Sequence, residues 1–422
     1  MVLSLPRRLS WPLRPWKPIV FSNSNFARIP AEQKIEEETL PDYRASRYYP
    51  VDIGEVLSNR YQVVGKLGFG TSSTVWLARD LGGRRHVALK LFINSASMGE
   101  QLDNELNMYR RMKEKGSANH PGRSAVRELL DSFDIEGPDG RHRCLVHPPL
   151  WESMLTFLHR NPVVRLPVPV LAIVLQRLFL ALDFLHRECL IIHTDLKADN
   201  IMFGIGDDSM FSEAEKQEQH DPLPRKVLGD RTIYMSRELS MPRNIGEPVL
   251  CDFGSAVCGD EEHREDVQPN IYRAPEVIMG APWTYKIDIW NAGCVVWHLF
   301  EGGHLFTGQD PEFHTYRSRA HLAEMIALLG QPPQQLLDRG NRSSEFFSDK
   351  GEFCGGISLP TSISLEEIET NLEGQDKENF LRMMRMMLQW EPSLRSSAKD
   401  LVDAEWMRDQ VSAALQPHAN TK

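Results

Sequence analysis

The stretch His193-Thr194-Asp195-Leu196-Lys197-Ala198-Asp199-Asn200 sets a carboxylate, an ammonium group and a carboxamide in one short loop behind a long apolar run. Asp252-Phe253-Gly254 follows the apolar Val249-Leu250-Cys251, so its carboxylate would emerge at a strand end, where a hard oxygen ligand suits Mg²⁺. Leu67-Gly68-Phe69-Gly70-Thr71-Ser72-Ser73-Thr74-Val75 joins two apolar runs. Glycines there let backbone N–H groups approach phosphate oxygens without a Cβ in the way, although a plain hairpin turn would use them equally well. Val87-Ala88-Leu89-Lys90 ends an apolar run with a lysine, which in isolation is ordinarily a solvated strand terminus. Phosphoryl transfer asks little covalent work of a protein. It needs phosphates held still, metal ions in place and a base near the acceptor hydroxyl, and each of these needs has a candidate here.

Side chains so far apart in the chain need folded elements to gather them. Tyr61 to Leu67, Thr74 to Ala78 and His86 to Phe92 are β-branched and aromatic runs separated by glycine clusters, the pattern of a small antiparallel sheet. A helix is predicted from about Glu100 to Lys115 and a further strand at Cys144 to Val146. Met154 to Leu158, Val170 to Arg187, Ile287 to Phe300, Leu322 to Leu329 and Glu378 to Trp390 then repeat apolar residues at the helical period. Sheet first and helices later predicts an α+β fold with a small β-rich lobe over about 61–146 and a larger, mainly helical lobe over about 147–410. Residues 1–50 read as a disordered leader, 51–410 as the folded domain and 411–422 as a tail. The polar stretch around EAEKQEQHDPLPRK predicts a partly disordered insertion loop over about 204–248.

Composition sets the outer limits. With 41% hydrophobic and 25% charged residues among 422, the chain falls in the ordinary globular class and is long enough for two lobes. A net charge of -10 disfavours general nucleic-acid binding and suits a basic peptide partner. The six cysteines form no CxxC pair, so neither a disulfide framework nor a zinc site is indicated and a reducing compartment fits best. The apolar stretch from Val168 to Leu185 is interrupted by Gln176, Arg177 and Asp183, which reads as a buried helix rather than a membrane span. Arg7, Arg8, Arg14, Lys17 and Arg28 precede any acidic residue, as in a mitochondrial presequence, but Pro6, Pro12, Pro15 and Pro18 oppose the amphipathic helix such a segment needs. A monomer in the cytoplasm or nucleus is the expectation, and mitochondrial targeting the lesser alternative.

Taken in order, these motifs resemble the eukaryotic protein kinase family from about Tyr61 to about Met407. The resemblance implies ATP and Mg²⁺ as cofactors and protein serine or threonine hydroxyls as acceptors. It makes Asp195 the catalytic base and gives Lys197 the γ-phosphate. Lys90 would grip the α and β phosphates, paired with Glu105 on the following helix, while Asn200 and Asp252 hold metal. Leu67 to Val75 and Ala88 would surround the nucleotide, with Ser73 in place of the usual third glycine. Pro148 would offer its carbonyl, and Leu150 its N–H, to the adenine edge. Ala274-Pro275-Glu276 would close the activation segment, with Arg395 as partner of Glu276. Plainer readings remain for single residues: a surface carboxylate for Glu105, a core histidine for His193, a turn former for Asp195.

Within the family the chain looks most like the SR-protein-specific kinases, which phosphorylate arginine/serine-rich splicing factors. Val51-Asp52-Ile53-Gly54-Glu55, Ser73-Thr74-Val75-Trp76-Leu77, the threonine of His193-Thr194-Asp195 and the insert after the catalytic loop carry that resemblance. Phe253 and the shortness of the insert depart from it. Thr194 stands where an arginine usually binds a phosphorylated activation loop, which implies an enzyme competent without that modification. The alternative from another class is a pseudokinase scaffold, against which Lys90, Asp195 and Asp252 all stand.

Overall fold

A strand apolar on both faces must lie inside a sheet and under cover, and in Arg85–Asn94 every residue except Arg85 and Lys90 is buried. The computed structural model describes residues 14–98 and 102–416. It places that strand in the interior of a six-stranded sheet made of β1 (Val56–Leu57), β2 (Tyr61–Phe69), β3 (Ser73–Asp80), β4 (Arg85–Asn94), β5 (Asp131–Gly137) and β6 (Gly140–His147). The strand order is β1-β2-β3-β4-β6-β5, and every neighbouring pair is antiparallel. Val63, Trp76, Val87, Leu89, Leu91, Cys144 and Val146 form the apolar core of this sheet.

The chain divides into two compact units. The sheet unit comprises the described residues up to Leu102, with Leu129–Pro149 and Gly206–Asn244. The helical unit comprises Asp103–Glu128, Leu150–Ile205 and the described residues from Ile245 onward. The helix Asn104–Lys115, expected within the first lobe, therefore groups with the second, and residues 99–101 of its predicted start lie outside the described residues.

Three expectations need correction. The described part of the leader packs on the sheet: Trp16 N–H donates to the Leu81 carbonyl (2.8 Å) and Ile19 N–H to Gln62 Oε1 (2.9 Å). Its acidic run, which reads as solvated, is spent on buried cations. Glu37 pairs with the fully buried Lys66 of β2, Glu38 with Lys226 (2.8 Å), and Glu36 accepts from the Ser236 hydroxyl (2.6 Å). The insertion loop is likewise structured, as a helix Ser209–His220 and a hairpin Arg225–Leu228/Arg231–Tyr234 that turns at Gly229 (φ +61°). Met210, Phe211 and Ala214 give the helix a buried face, Glu218 receives both Arg225 and Arg237, and Tyr234 packs edge-on against Trp76 (5.7 Å). Glu38 and Glu36 find their partners, Lys226 and Ser236, only far along the chain, so local composition makes the leader look like a solvated tail. The C-terminal tail also changes, since the helix Glu405–Leu415 runs through its first residues; 417–422 lie outside the described residues.

The helical unit is built on Val168–Asp183 and Lys286–Glu301. The first ends in a π turn, Phe184–Cys189, stopped by Leu190 in the left-handed conformation (φ 53°). Its apolar length would suffice for a membrane span, but most of it is buried in this unit, and Arg177 is consumed by the Pro248 carbonyl and by Ser124. Glu276 and Arg395, both fully buried, form a two-pronged ion pair (2.6 and 2.7 Å), as the sequence led one to expect.

Removing one member of a buried pair leaves the other charge without compensation. Lys66→Met should therefore lower the unfolding free energy by roughly 3–5 kcal/mol, and adding Glu37→Leu should recover much of the loss. Urea unfolding of the two variants checks this; an unchanged midpoint for Lys66→Met would mean the leader is not fastened to β2.

Candidate active site

The candidate catalytic loop is held by its backbone. Asp288, fully buried in the first turn of Lys286–Glu301, accepts from the N–H of His193 (2.8 Å) and the N–H of Thr194 (2.9 Å). Thr194 occupies left-handed space (φ 66°) to allow this. One turn further along the same helix, Asn291 Nδ2 donates to the Leu196 carbonyl (2.7 Å). Neither Asp288 nor Asn291 was singled out for this role from sequence, and their spacing along one helix is the signal that could have found them.

With the backbone pinned, the functional groups converge. Lys197 Nζ donates to Asp195 Oδ2 (2.8 Å), and Asn200 Nδ2 donates to the Asp195 carbonyl (2.8 Å) and to its Oδ2 (3.0 Å). These bonds use Asn200 Nδ2, so its side-chain Oδ1 is the atom left for a cation. The neighbouring segment is tied in register: Cys251 N–H donates to the Asn200 carbonyl (2.8 Å) and His193 Nε2 to the Cys251 carbonyl (3.1 Å). His193 Nδ1 accepts from Asp195 N–H (3.3 Å), so Nε2 must carry the hydrogen, and the residue is structural.

Asp252 follows in left-handed backbone (φ 63°), with Phe253 completely buried behind it. Phe253 lies edge-on between His193 (5.3 Å) and Tyr109 (5.4 Å) of the helix Asn104–Lys115. The start of that helix grips the segment, Asn104 Nδ2 donating to the carbonyls of Gly254 (2.8 Å) and Ala256 (3.0 Å). Glu105 is buried, not a surface carboxylate; a Cβ on Gly254 would stand 3.9 Å from its Oε2 and 3.3 Å from Asp252 Oδ1. The helical unit thus gathers Asp195, Lys197, Asn200, Asp252 and Glu105 on hydrogen-bonded or adjoining segments.

The sheet unit arranges the other candidates. Lys90 pairs with Val75 on one side and Leu145 on the other, in mid-strand rather than at a strand end, and is the one half-exposed residue between buried neighbours. The solvated-terminus reading therefore fails. Ala88 pairs with His147, the last residue of β6. Leu67, Gly68 and Phe69 end β2, Ser73, Thr74 and Val75 open β3, and Gly70, Thr71 and Ser72 form the turn. Neither Gly68 nor Gly70 has positive φ, and a Cβ on either would meet nothing closer than 3.9 Å. The turn itself does not require glycine at Gly70. Ser73 is buried and in register with Phe92, which explains how a side chain is accommodated there. None of the described hydrogen bonds uses the Pro148 carbonyl or the Leu150 N–H.

A sheet unit carrying a glycine turn and an interior lysine, and a helical unit carrying this catalytic loop, define a phosphotransferase of the kinase type. The sequence profile of the protein kinase domain matches residues 61–407, and the chain belongs to that family. It is 42% identical to a serine/threonine protein kinase of Aspergillus fumigatus over 91% of this chain and 93% of that one. It is 30% identical to the serine/threonine-protein kinase SRPK of Physarum polycephalum (89% and 92% covered) and 24% identical to SRSF protein kinase 3 of Mus musculus (88% and 90%). It is a serine/threonine protein kinase most similar to the SR-protein kinases, and its family uses ATP and a divalent metal.

The activation segment is already fastened without an added phosphate. The Thr194 hydroxyl donates to the Ser255 carbonyl (2.7 Å), and Arg111 pairs with Asp260 (2.9 Å), a permanent negative charge. Further along, the Tyr272 hydroxyl and His298 Nδ1 share a hydrogen bond (2.8 Å), with the His304 ring 4.3 Å from that of His298. Burial, reinforced by His304 and His159, pulls the His298 pKa down to about 4, and burial lowers that of His304 as well.

Two outcomes follow from this arrangement. Exhaustive phosphatase treatment should leave the turnover of the purified protein unchanged, and loss of activity would contradict the reading of Thr194 and Asp260. Because the unfolded chain protonates His298 at its ordinary pKa of 6.5 while the folded chain resists until about 4, its contribution to stability is whole above 6.5 and lost as pH falls toward 4. Melting temperatures measured across that range should fall with pH, by at most about 1.4 kcal/mol of stability per unit for this residue, and His298→Gln should flatten the slope.

Proposed function

We propose that this kinase transfers the γ-phosphate of ATP to serine hydroxyls in arginine/serine-rich proteins, with Mg²⁺ as the metal. In this reading Asp195 accepts the proton of the acceptor hydroxyl and Lys197 holds the γ-phosphate. Lys90, backed by Glu105, holds the α and β phosphates, and the turn from Leu67 to Val75 lies over them. The Pro148 carbonyl and Leu150 N–H take the adenine edge. The metal would be held by Asp252 and the side-chain Oδ1 of Asn200, and the chemistry it would supply is charge neutralisation on the phosphates. Two hard oxygen ligands, with no group of three or more His, Cys, Asp or Glu able to hold an ion among the described residues, suit a metal that keeps waters and phosphates in its shell.

The observation that carries the reading is the ring of Lys197, Asn200 and pinned backbone around Asp195. Nothing favours the scaffold alternative. For the substrate class, support comes from the names of the relatives and from charge: Asp260, Glu261, Glu262, Glu265 and Asp266 of the activation segment are all exposed, an acidic face suited to arginine-rich peptide. The same reading takes the protein to be a monomer of the cytoplasm or nucleus that engages neither nucleic acid nor membrane directly, with mitochondrial import the lesser alternative.

Incubation with labelled ATP, Mg²⁺ and either an RS-repeat peptide or a generic basic peptide decides the matter. Transfer to the RS peptide is expected, reduced at least about 100-fold in Asp195→Ala. Transfer to the generic peptide alone would remove the arginine/serine assignment, and equal counts for wild type and variant would remove the catalytic one.

A further inference from the structure

All three carbonyls of the turn Gly70–Ser72 are occupied, that of Ser72 by the Ile93 N–H of β4 (2.9 Å). The hydroxyl of Tyr48, a leader residue before the matched domain begins, is shared between the carbonyls of Gly70 (3.2 Å) and Thr71 (3.3 Å). A trans peptide directs its carbonyl and the following N–H to opposite sides. Fixing the carbonyls of Gly70 and Thr71 therefore fixes the direction of the N–H groups of Thr71 and Ser72. Neither of those two N–H groups is used in any described hydrogen bond, whereas Gly70 N–H is spent on the Ser73 carbonyl (2.8 Å). Two free donors aimed away from their own support are what a phosphate oxygen accepts from.

Tyr48 is itself held from behind. It is buried (4% exposed), its ring lies 5.3 Å from that of Tyr43, and its carbonyl accepts from Arg231 Nη2 (2.8 Å) in the insert hairpin. Asn94 Nδ2, at the end of β4, donates to the Ser46 carbonyl two residues earlier (3.0 Å). Burial raises the phenol's pKa, so the hydroxyl remains a donor at neutral pH.

We infer that Tyr48 is a positioning residue for the nucleotide loop, orienting the Thr71 and Ser72 N–H groups toward the phosphates, and that the insert supports it through Arg231. The inference rests on the kinase reading of Leu67 to Val75 and names residues outside it. It explains why leader and insert fold onto this sheet at all: together they brace the turn that must meet the anion.

Tyr48→Phe keeps the ring and deletes the one hydroxyl, so packing is preserved. The ATP KM, and the Kd for MgADP from calorimetry, should each rise about 3–10-fold, as for loss of one hydrogen bond, while the peptide KM holds and kcat changes less than the ATP KM. Arg231→Met should move the same two constants in the same direction. Melting curves serve as the control, since a merely structural role would lower the melting temperature without splitting KM from kcat. Nucleotide binding by wild type that Tyr48→Phe leaves unchanged overturns this inference alone. No nucleotide binding by wild type overturns the kinase reading, and this inference with it.

Discussion

A fully buried carboxylate with three donors, Asp288, carries the geometry on which the site depends. It takes two successive backbone N–H groups, those of His193 and Thr194, and His186 Nε2 (2.9 Å). Two adjacent amides can reach one carboxylate only if the backbone between them bends, and Thr194 meets that demand with φ 66°. A threonine in left-handed space costs about 1–2 kcal/mol, which charge-assisted hydrogen bonds to a desolvated carboxylate offset. The position of Asp288 in a first helical turn adds the favourable end of the helix dipole. The result is that Asp195 enters the loop with its backbone fixed before any substrate arrives.

That constraint is only as firm as the helix supplying it. Lys286–Glu301 is buried along nearly its whole length, and its start is locked from outside. Arg395 donates to the Lys286 carbonyl (2.9 Å) while paired with Glu276, and Lys286 Nζ reaches the Ser396 carbonyl (3.1 Å). Glu276 belongs to the end of the activation segment, so a single buried guanidinium ties that segment to the helix that holds the catalytic loop. A buried ion pair of this kind adds little net stability over an apolar replacement, and its value here is in fixing geometry. Phe253, fully buried, anchors the neighbouring segment, its ring edge-on between His193 and Tyr109.

The parts legible in the sequence were those where the chemistry needs neighbours along the chain. Asp195, Lys197 and Asn200 must share one tight loop, and Asp252 must end a strand, so their spacing is visible without a fold. Strands β2, β3 and β4 were legible because burial on both faces leaves β-branched runs. β5, Asp131–Gly137, was not, because the wet face of an edge strand carries Asp134 and Glu136. Asp288, Asn291 and Asn104 were missed as positioning residues, since each acts on a backbone far away in sequence.

The leader and the insert mark the limit of reading by composition. Glu36, Glu37 and Glu38 in one place and Lys226, Arg225 and Glu218 in another are each what a solvated, disordered segment contains. The two runs become a folded interface only because they meet one another and Lys66, across about half the chain, and a charge looks solvated until its counter-charge is known. The physical demand that brings them together lies at the glycine turn. A turn that begins with glycine has few contacts of its own to order it, and glycine carries the largest entropy cost on being fixed. Order must then come from residues outside the turn, acting on its carbonyls. Tyr48 and the hairpin that holds it act on those carbonyls, so in this chain the segments least legible from sequence are the ones that support its glycine turn.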